Sequence, residues 1–266
     1  LHDKYRNDEL ISTAFAPHAP YTTSDAALER VRTLANELDI QIHMHVHESR
    51  DEIVGSLEQY GVRPLERLNR LGMAGPQLMA VHMTQLTDEE IQLCAESGVH
   101  VIHCAESNLK LASGFTPVEK LREAGINIAL GTDGAASNND LDMFGEMRTA
   151  SLIAKAIGGS AQALPALETL RAATLNGARA LGIDRKTGSI ERGKAADLVA
   201  VDLDHMATTP VYDPVSQLVY SAGRDQVTDV WVNGRQLLRE GSHTSLDIAA
   251  VRHQAGYWQA RIAAAN

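Results

Sequence analysis

From Ile11 to Ile157 the chain alternates short apolar stretches of period two with longer amphipathic stretches of helical spacing. This succession constrains the fold more than any other feature, because strands joined by helical crossovers form a parallel sheet. Strands are predicted at Ile11–Ala16, Ile40–His47, Leu78–Met83, Val99–Cys104 and Asn127–Asp133. Helices are predicted over Ala26–Leu38, capped by Ser24 or Asp25, and over Ile53–Leu71, broken at Gly61 and Pro64. The next helix opens on a Thr87–Glu90 capping box and closes at Gly98. Another begins at Thr116, with Pro117 in its first position, and the last of this series runs from about Leu141 to Ile157. The spacing is that of five βα units, roughly 30 residues each. No GxGxxG follows any strand, which disfavours a dinucleotide-binding sheet. The strand ends instead carry His18, His45–Glu48, His82, His103 and Asp133. Reactive side chains at the carboxyl ends of parallel strands predict a (β/α)8 TIM barrel with its site on that face.

After the turn-rich segment Gly188–Gly193 the pattern changes. Residues 1–187 are expected to form the barrel portion and 188–266 a small β domain. The latter holds strands at Asp197–Leu203 and Val227–Val232, an Asn233-Gly234 hairpin turn and a terminal helix over Asp247–Ala265. Two or three strands there need partners from elsewhere. The net charge of −10 argues against nucleic acid or an anionic membrane as partner, and 44% hydrophobic residues argue against general disorder. Neither a membrane span nor a signal peptide is expected. Two cysteines, Cys94 and Cys104, cannot build a disulfide scaffold, so a cytoplasmic setting is expected.

Six of the 11 histidines fall between His43 and His103. Alternation puts His43, His45 and His47 on one strand face, opposite Ile40, Ile42, Met44 and Val46. That face is predicted to point into the barrel. A metal is one way to satisfy such a cluster; a hydrogen-bonded polar layer is the other. Glu48 is placed to move protons beside a ligand, or else is a solvated carboxylate paired with Arg50. His82 could be a ligand, a proton carrier or a capped core histidine. Asp133, above the small residues Ala129 and Gly131, could reach a metal or form an Asx turn with Gly134 and Ser137. Carboxylate and imidazole around Zn²⁺ point to hydrolysis, since the metal lowers the pKa of bound water to about 7. Neither cysteine is expected to act as a nucleophile.

Five motifs in order carry a resemblance. They are Ala16-Pro-His-Ala-Pro-Tyr21, His43-Met-His-Val-His-Glu48, Val81-His82, the segment His103–Gly114 and the segment Leu130–Asp140. With Gly188–Val201 they resemble the amidohydrolase superfamily, and within it the 5'-methylthioadenosine/S-adenosylhomocysteine deaminases, grouped with the triazine chlorohydrolases. The resemblance implies that His45 and Asp133 are ligands of one Zn²⁺; His/Asp sites also accept Fe²⁺, the alternative metal. It implies that Glu48 protonates the purine ring nitrogen, that His82 lies beside the attacking water, and that Asp133 also takes a proton from that water. His18, Glu48 and Asp133 would contact substrate. Ala105 stands where the motif has proline, which bears on loop stiffness.

The resemblance also implies a His-x-His pair on the first barrel strand, upstream of these motifs. The run at His43–His47 lies 25 or more residues after His18 and suits the fifth strand instead. The chain is therefore expected to be the C-terminal part of a longer enzyme, carrying strands 4–8. The expected reaction is zinc-dependent deamination of an adenine nucleoside thioether. The expected partners are that small molecule and further copies of the chain, as a homodimer or higher oligomer. Another amidohydrolase (triazine, pterin, guanine or cytosine) and a non-catalytic fragment are the alternatives.

Overall fold

The alternation of Ile42, Met44 and Val46 with His43 and His45 makes a strand whose apolar side is buried against Leu28, Leu65 and Leu68. This is β1 (Ile42–Val46). It pairs in parallel with β2 (Leu78–His82), which pairs with β3 (His100–His103), and that with β4 (Ile128–Leu130). The sheet order is sequential, each strand lying beside the next in the chain. The register sets Val46 beside His82 and His103 beside Leu130, so the carboxyl ends of the strands form one rim. The structure, a computed structural model, describes residues 1–264; Ala265, the end of the expected terminal helix, lies outside the described residues.

The crossovers largely follow the sequence. Ser24 caps the helix Asp25–Leu38, and Thr87 with Glu90 forms a complete capping box on Asp88–Ser97. Gly98 ends that helix at φ 78°, a left-handed conformation that costs glycine little. The expected Ile53–Leu71 helix is two, Arg50–Tyr60 and Pro64–Arg70, separated at Gly61. Pro117 precedes the helix Val118–Glu123 rather than opening it, a correction of one residue. A larger correction concerns Ile11–Ala16. Only Phe15 bridges Ile42, with Phe15 N–H donating to Gln41 O and His43 N–H to Phe15 O. Pro17 and Pro20 follow directly, and proline has no N–H to extend a ladder.

The second sheet is antiparallel and has four strands where two or three were expected: β5 (Leu198–Val201), β6 (Val227–Val232), β7 (Arg235–Arg239) and β8 (Ser242–His243). Asn233 and Gly234, both at positive φ, make the β6–β7 turn. Between β5 and β6 the helix Pro214–Tyr220 returns to the helices Met143–Gly158 and Ala166–Ala172. There Tyr220 shares a 2.8 Å hydrogen bond with Ser151. Among the described residues no helix is long and apolar enough to cross a membrane.

One buried cation fixes the approach to the rim. Arg67 donates to Asp25 and to the carbonyls of Pro20 and Thr23, and its guanidinium lies 3.8 Å from the Tyr60 ring centroid. It thereby holds the loop that carries His18 and Tyr21. Arg67→Met should leave two carbonyls without donors and lower unfolding stability by about 2 kcal/mol. Denaturant titration of the natural protein, compared with the variant, measures this.

Candidate functional site

The rim brings five of the expected residues together. His18 and His45 rings meet edge to face with centroids 5.0 Å apart, and His45 and His82 stack at 5.4 Å. Glu48 Oε2 lies 3.7 Å from His82 Nε2. Asp133 stands at the end of β4, where Ser107 and Ser137 hydroxyls donate to Oδ2 at 2.6 and 2.7 Å and Gly134 N–H to Oδ1 at 2.7 Å. Burial disfavours the Asp133 anion, but these three donors outweigh it and hold the carboxyl below the usual aspartate range. Asp133 therefore makes the turn anticipated with Gly134 and Ser137, and still faces the rim. Burial lowers the pKa of the His82 imidazole, against the opposing pull of Glu48.

His45 has the bearing of a metal ligand. Its Nδ1 donates to the His18 carbonyl oxygen at 2.7 Å, which can only accept, so Nε2 is left bare. Ionised Asp133 supplies an oxygen donor. The two fit as ligands, whereas a catalytic zinc site takes about three protein ligands. Among the described residues no group of three or more His, Cys, Asp or Glu is arranged to hold a metal.

Other expectations change. His47 does not share the face of His43 and His45. β1 ends at Val46, and His47 turns out at φ 54°. Its buried ring accepts Leu65 N–H at 3.0 Å and lies 3.5 Å from Glu90, itself clamped by Arg63. His47 thus ties β1 to the helix Pro64–Arg70. His43 is exposed rather than buried on the open face. His103 is fully enclosed and sits on the core side of the rim. Burial pushes both thiols up, Cys94 to about 12, in keeping with inert cysteines.

Several residues that position the site were not singled out from sequence. Thr84 Oγ1 donates to Glu48 O at 2.7 Å, and Glu52 Oε2 accepts Glu48 N–H at 2.8 Å, so the Glu48 peptide is held from both sides. Asn108 Oδ1 meets His82 Nδ1 at 2.9 Å. The carboxylate of Glu106 accepts from Thr149 and Asn138, both at 3.0 Å. Ser107 and Asn108 belong to a quoted motif, so a signal existed. Glu52, one helical turn beyond Glu48, and Glu146 looked like ordinary helix residues. Both are buried acids that accept backbone N–H groups behind the rim, Glu52 from Glu48 and Glu146 from Glu106 at 3.3 Å. Burial raises Glu52 to about 7 and Glu146 to about 8.

A family described as the amidohydrolase family matches residues 2–237. The 5-methylthioadenosine/S-adenosylhomocysteine deaminase of Teredinibacter turnerae is 47% identical over 264 residues, covering 99% of this chain and 60% of that protein. The 5'-deoxyadenosine deaminase of Methanothermobacter thermautotrophicus is 47% identical over 234 residues, 88% of this chain and 54% of its own length. A crystal structure of an adenosine deaminase from Xanthomonas campestris with bound zinc aligns at TM-score 0.98 and 58% identity, over 99% of this chain and 60% of that one. Zinc-bound atrazine chlorohydrolase of Arthrobacter aurescens aligns at TM-score 0.91 and 27% identity, over 97% and 57%. The chain spans about 60% of the length of the curated relatives it matches.

The raised acid behind the rim yields a signed prediction. Unfolded Glu146 loses its proton near 4.5 and the folded residue near 8, so the stability it contributes falls as pH rises through that window. Glu146→Gln has no proton to lose. Its stability relative to the parent should therefore be higher at pH 8 than at pH 5, read from denaturant midpoints at the two pH values.

Proposed function

The chain belongs to the amidohydrolase family, and on that premise we propose that its protein hydrolytically deaminates an adenine nucleoside thioether, 5'-methylthioadenosine or S-adenosylhomocysteine. The observation that carries this reading is the convergence of His18, His45, Glu48, His82 and Asp133 on one rim of the parallel sheet. Support for the substrate comes from the relatives named above, all but the chlorohydrolase being deaminases of adenine nucleosides. The products are the inosine analogue and ammonia.

His45 and the Asp133 carboxylate would hold a zinc ion, with iron as the alternative metal. When bound, the metal would supply acidified water as nucleophile. Glu48 donates its proton to the purine ring nitrogen as C6 is attacked, which keeps negative charge from building on the ring. His82 and Asp133 receive the protons released from the water and return them to the departing amine. His18, its Nδ1 3.1 Å from Thr22 Oγ1, contacts the substrate together with Glu48 and Asp133.

In this reading β1–β4 and the Phe15 bridge are strands 5–8 and the remnant of strand 4 of an eight-stranded barrel. Residues 1–187 belong to the barrel and 188–266 to a small β domain. A homo-oligomer in the cytoplasm completes the proposal; two free, buried cysteines suit that compartment.

Glu48→Gln keeps the shape and removes the transferable proton. In the intact protein it should lower kcat for ammonia release from 5'-methylthioadenosine by roughly 10²–10⁴-fold, with zinc content unchanged. Near-normal kcat would remove Glu48 from its role. Chloride release from a chlorotriazine, without ammonia from the nucleoside, would replace the reaction itself.

A further inference from the structure

A closed ring of hydrogen bonds lies beneath His82. The Thr116 hydroxyl donates its one proton to the His82 carbonyl oxygen at 2.7 Å. With that proton committed, Thr116 Oγ1 meets the Asn108 amide as an acceptor, and Asn108 Nδ2 lies 3.4 Å away. The amide is thereby turned with Oδ1 toward His82 Nδ1, at 2.9 Å. A carbonyl oxygen can only accept, so the proton sits on Nδ1. The other ring nitrogen, Nε2, faces Glu48 Oε2 at 3.7 Å. All three members of the ring are buried, so bulk water does not compete for these groups.

The ring has an anchor. Asn108 lies on the short helix Ala105–Lys110, whose Glu106 N–H meets buried Glu146 and whose Ser107 reaches Asp133. One rigid turn therefore addresses His82 and Asp133 together.

We propose that Asn108 is a positioning residue that keeps the His82 proton on Nδ1 and presents Nε2, as a proton acceptor, to Glu48 and the rim. An unprotonated Nε2 can receive a proton and has none to give. This assigns His82 the accepting role in the attack step: a water O–H bond breaks, the electron pair stays on oxygen for the new C–O bond, and the N–H bond forms at Nε2, ready for later return to the amine. The part played in turnover rests on the deaminase reading above; the tautomer does not.

The test uses the intact natural protein with 15N-labelled histidine, the His82 signals being identified by their loss in His82→Gln. Two-bond proton–nitrogen correlations should give the Nδ1–H pattern for His82. Asn108→Leu removes both contacts of the amide. It should abolish that pattern and lower kcat about 10²-fold while KM stays within about threefold, the mark of an interaction made in the transition state. Thr116→Val leaves Asn108 in place but frees its amide to rotate, and should give a mixture of both tautomers even where Asn108→Leu does not fold. An Nε2–H pattern in the parent, or an unchanged pattern in both variants, overturns the assignment. The expected spectra without ammonia release would instead sink the deaminase reading and leave Asn108 in its place.

Discussion

The rim depends on hydrogen bonds that hold non-glycine residues in left-handed backbone conformations. His47 leaves β1 at φ 54°, His82 and Met83 leave β2 at 79° and 51°, and Asp133 follows β4 at 63°. Each such residue costs on the order of 1 kcal/mol and persists only where its surroundings fix it. Those surroundings are visible. The His47 carbonyl accepts from Thr84 N–H and Gln85 N–H, Met83 N–H donates to Val46 O, and Thr116 grips the His82 carbonyl. Asp133 is pinned through its own carboxylate by three donors. The sharp turns swing the chain out of the sheet, so that residues two apart, which a continued strand would put on one face, serve opposite sides. His45 faces the rim while His47 is locked into the helices behind it.

That swing explains what could and could not be read in advance. Period two correctly located the strand around Ile42–Val46, because burial against Leu28, Leu65 and Leu68 selects one face. Carried one turn too far, the same rule put His47 inside. The left-handed residue that breaks the period has no signature of its own at a histidine. Local chemistry was more dependable. The Thr87–Glu90 box and the Asn233-Gly234 turn involve residues three or fewer apart, and each formed as expected. Ile11–Ala16 had strand-like composition, but a ladder needs donors and Pro17 and Pro20 supply none.

Within the site, residues that carry reactive groups stood out by themselves, whereas most residues that orient them, Gly134 and Ser137 aside, did not. His45, Glu48, His82 and Asp133 stand out by type and by position at strand ends. Asn108, Thr84, Glu52 and Glu146 act through contacts across 26 to 40 residues of sequence, except Glu52, which reaches back one helical turn. An acid in a helix is ordinarily a solvated one, and nothing local distinguishes Glu146, whose carboxyl is fully buried. Its function comes into view only when the helix Ala105–Lys110 is seated over it.

The orienting residues also separate the chemical tendencies of groups that sit side by side. His82 and Asp133 share a rim yet are prepared by opposite means. Burial favours the uncharged imidazole of His82, and three hydrogen bonds favour the charged carboxylate of Asp133 in spite of its burial. Environments that drive neighbouring titratable groups apart are how one pocket keeps a neutral base and an anion at the same pH. The short helix Ala105–Lys110 contributes to both, through Asn108 to one and Ser107 to the other. The alanine that begins it, at the place where the motif carries proline, leaves these contacts intact. What the rim requires of this segment is the placement of two polar side chains, and Glu146 together with Thr149 secures that from beneath.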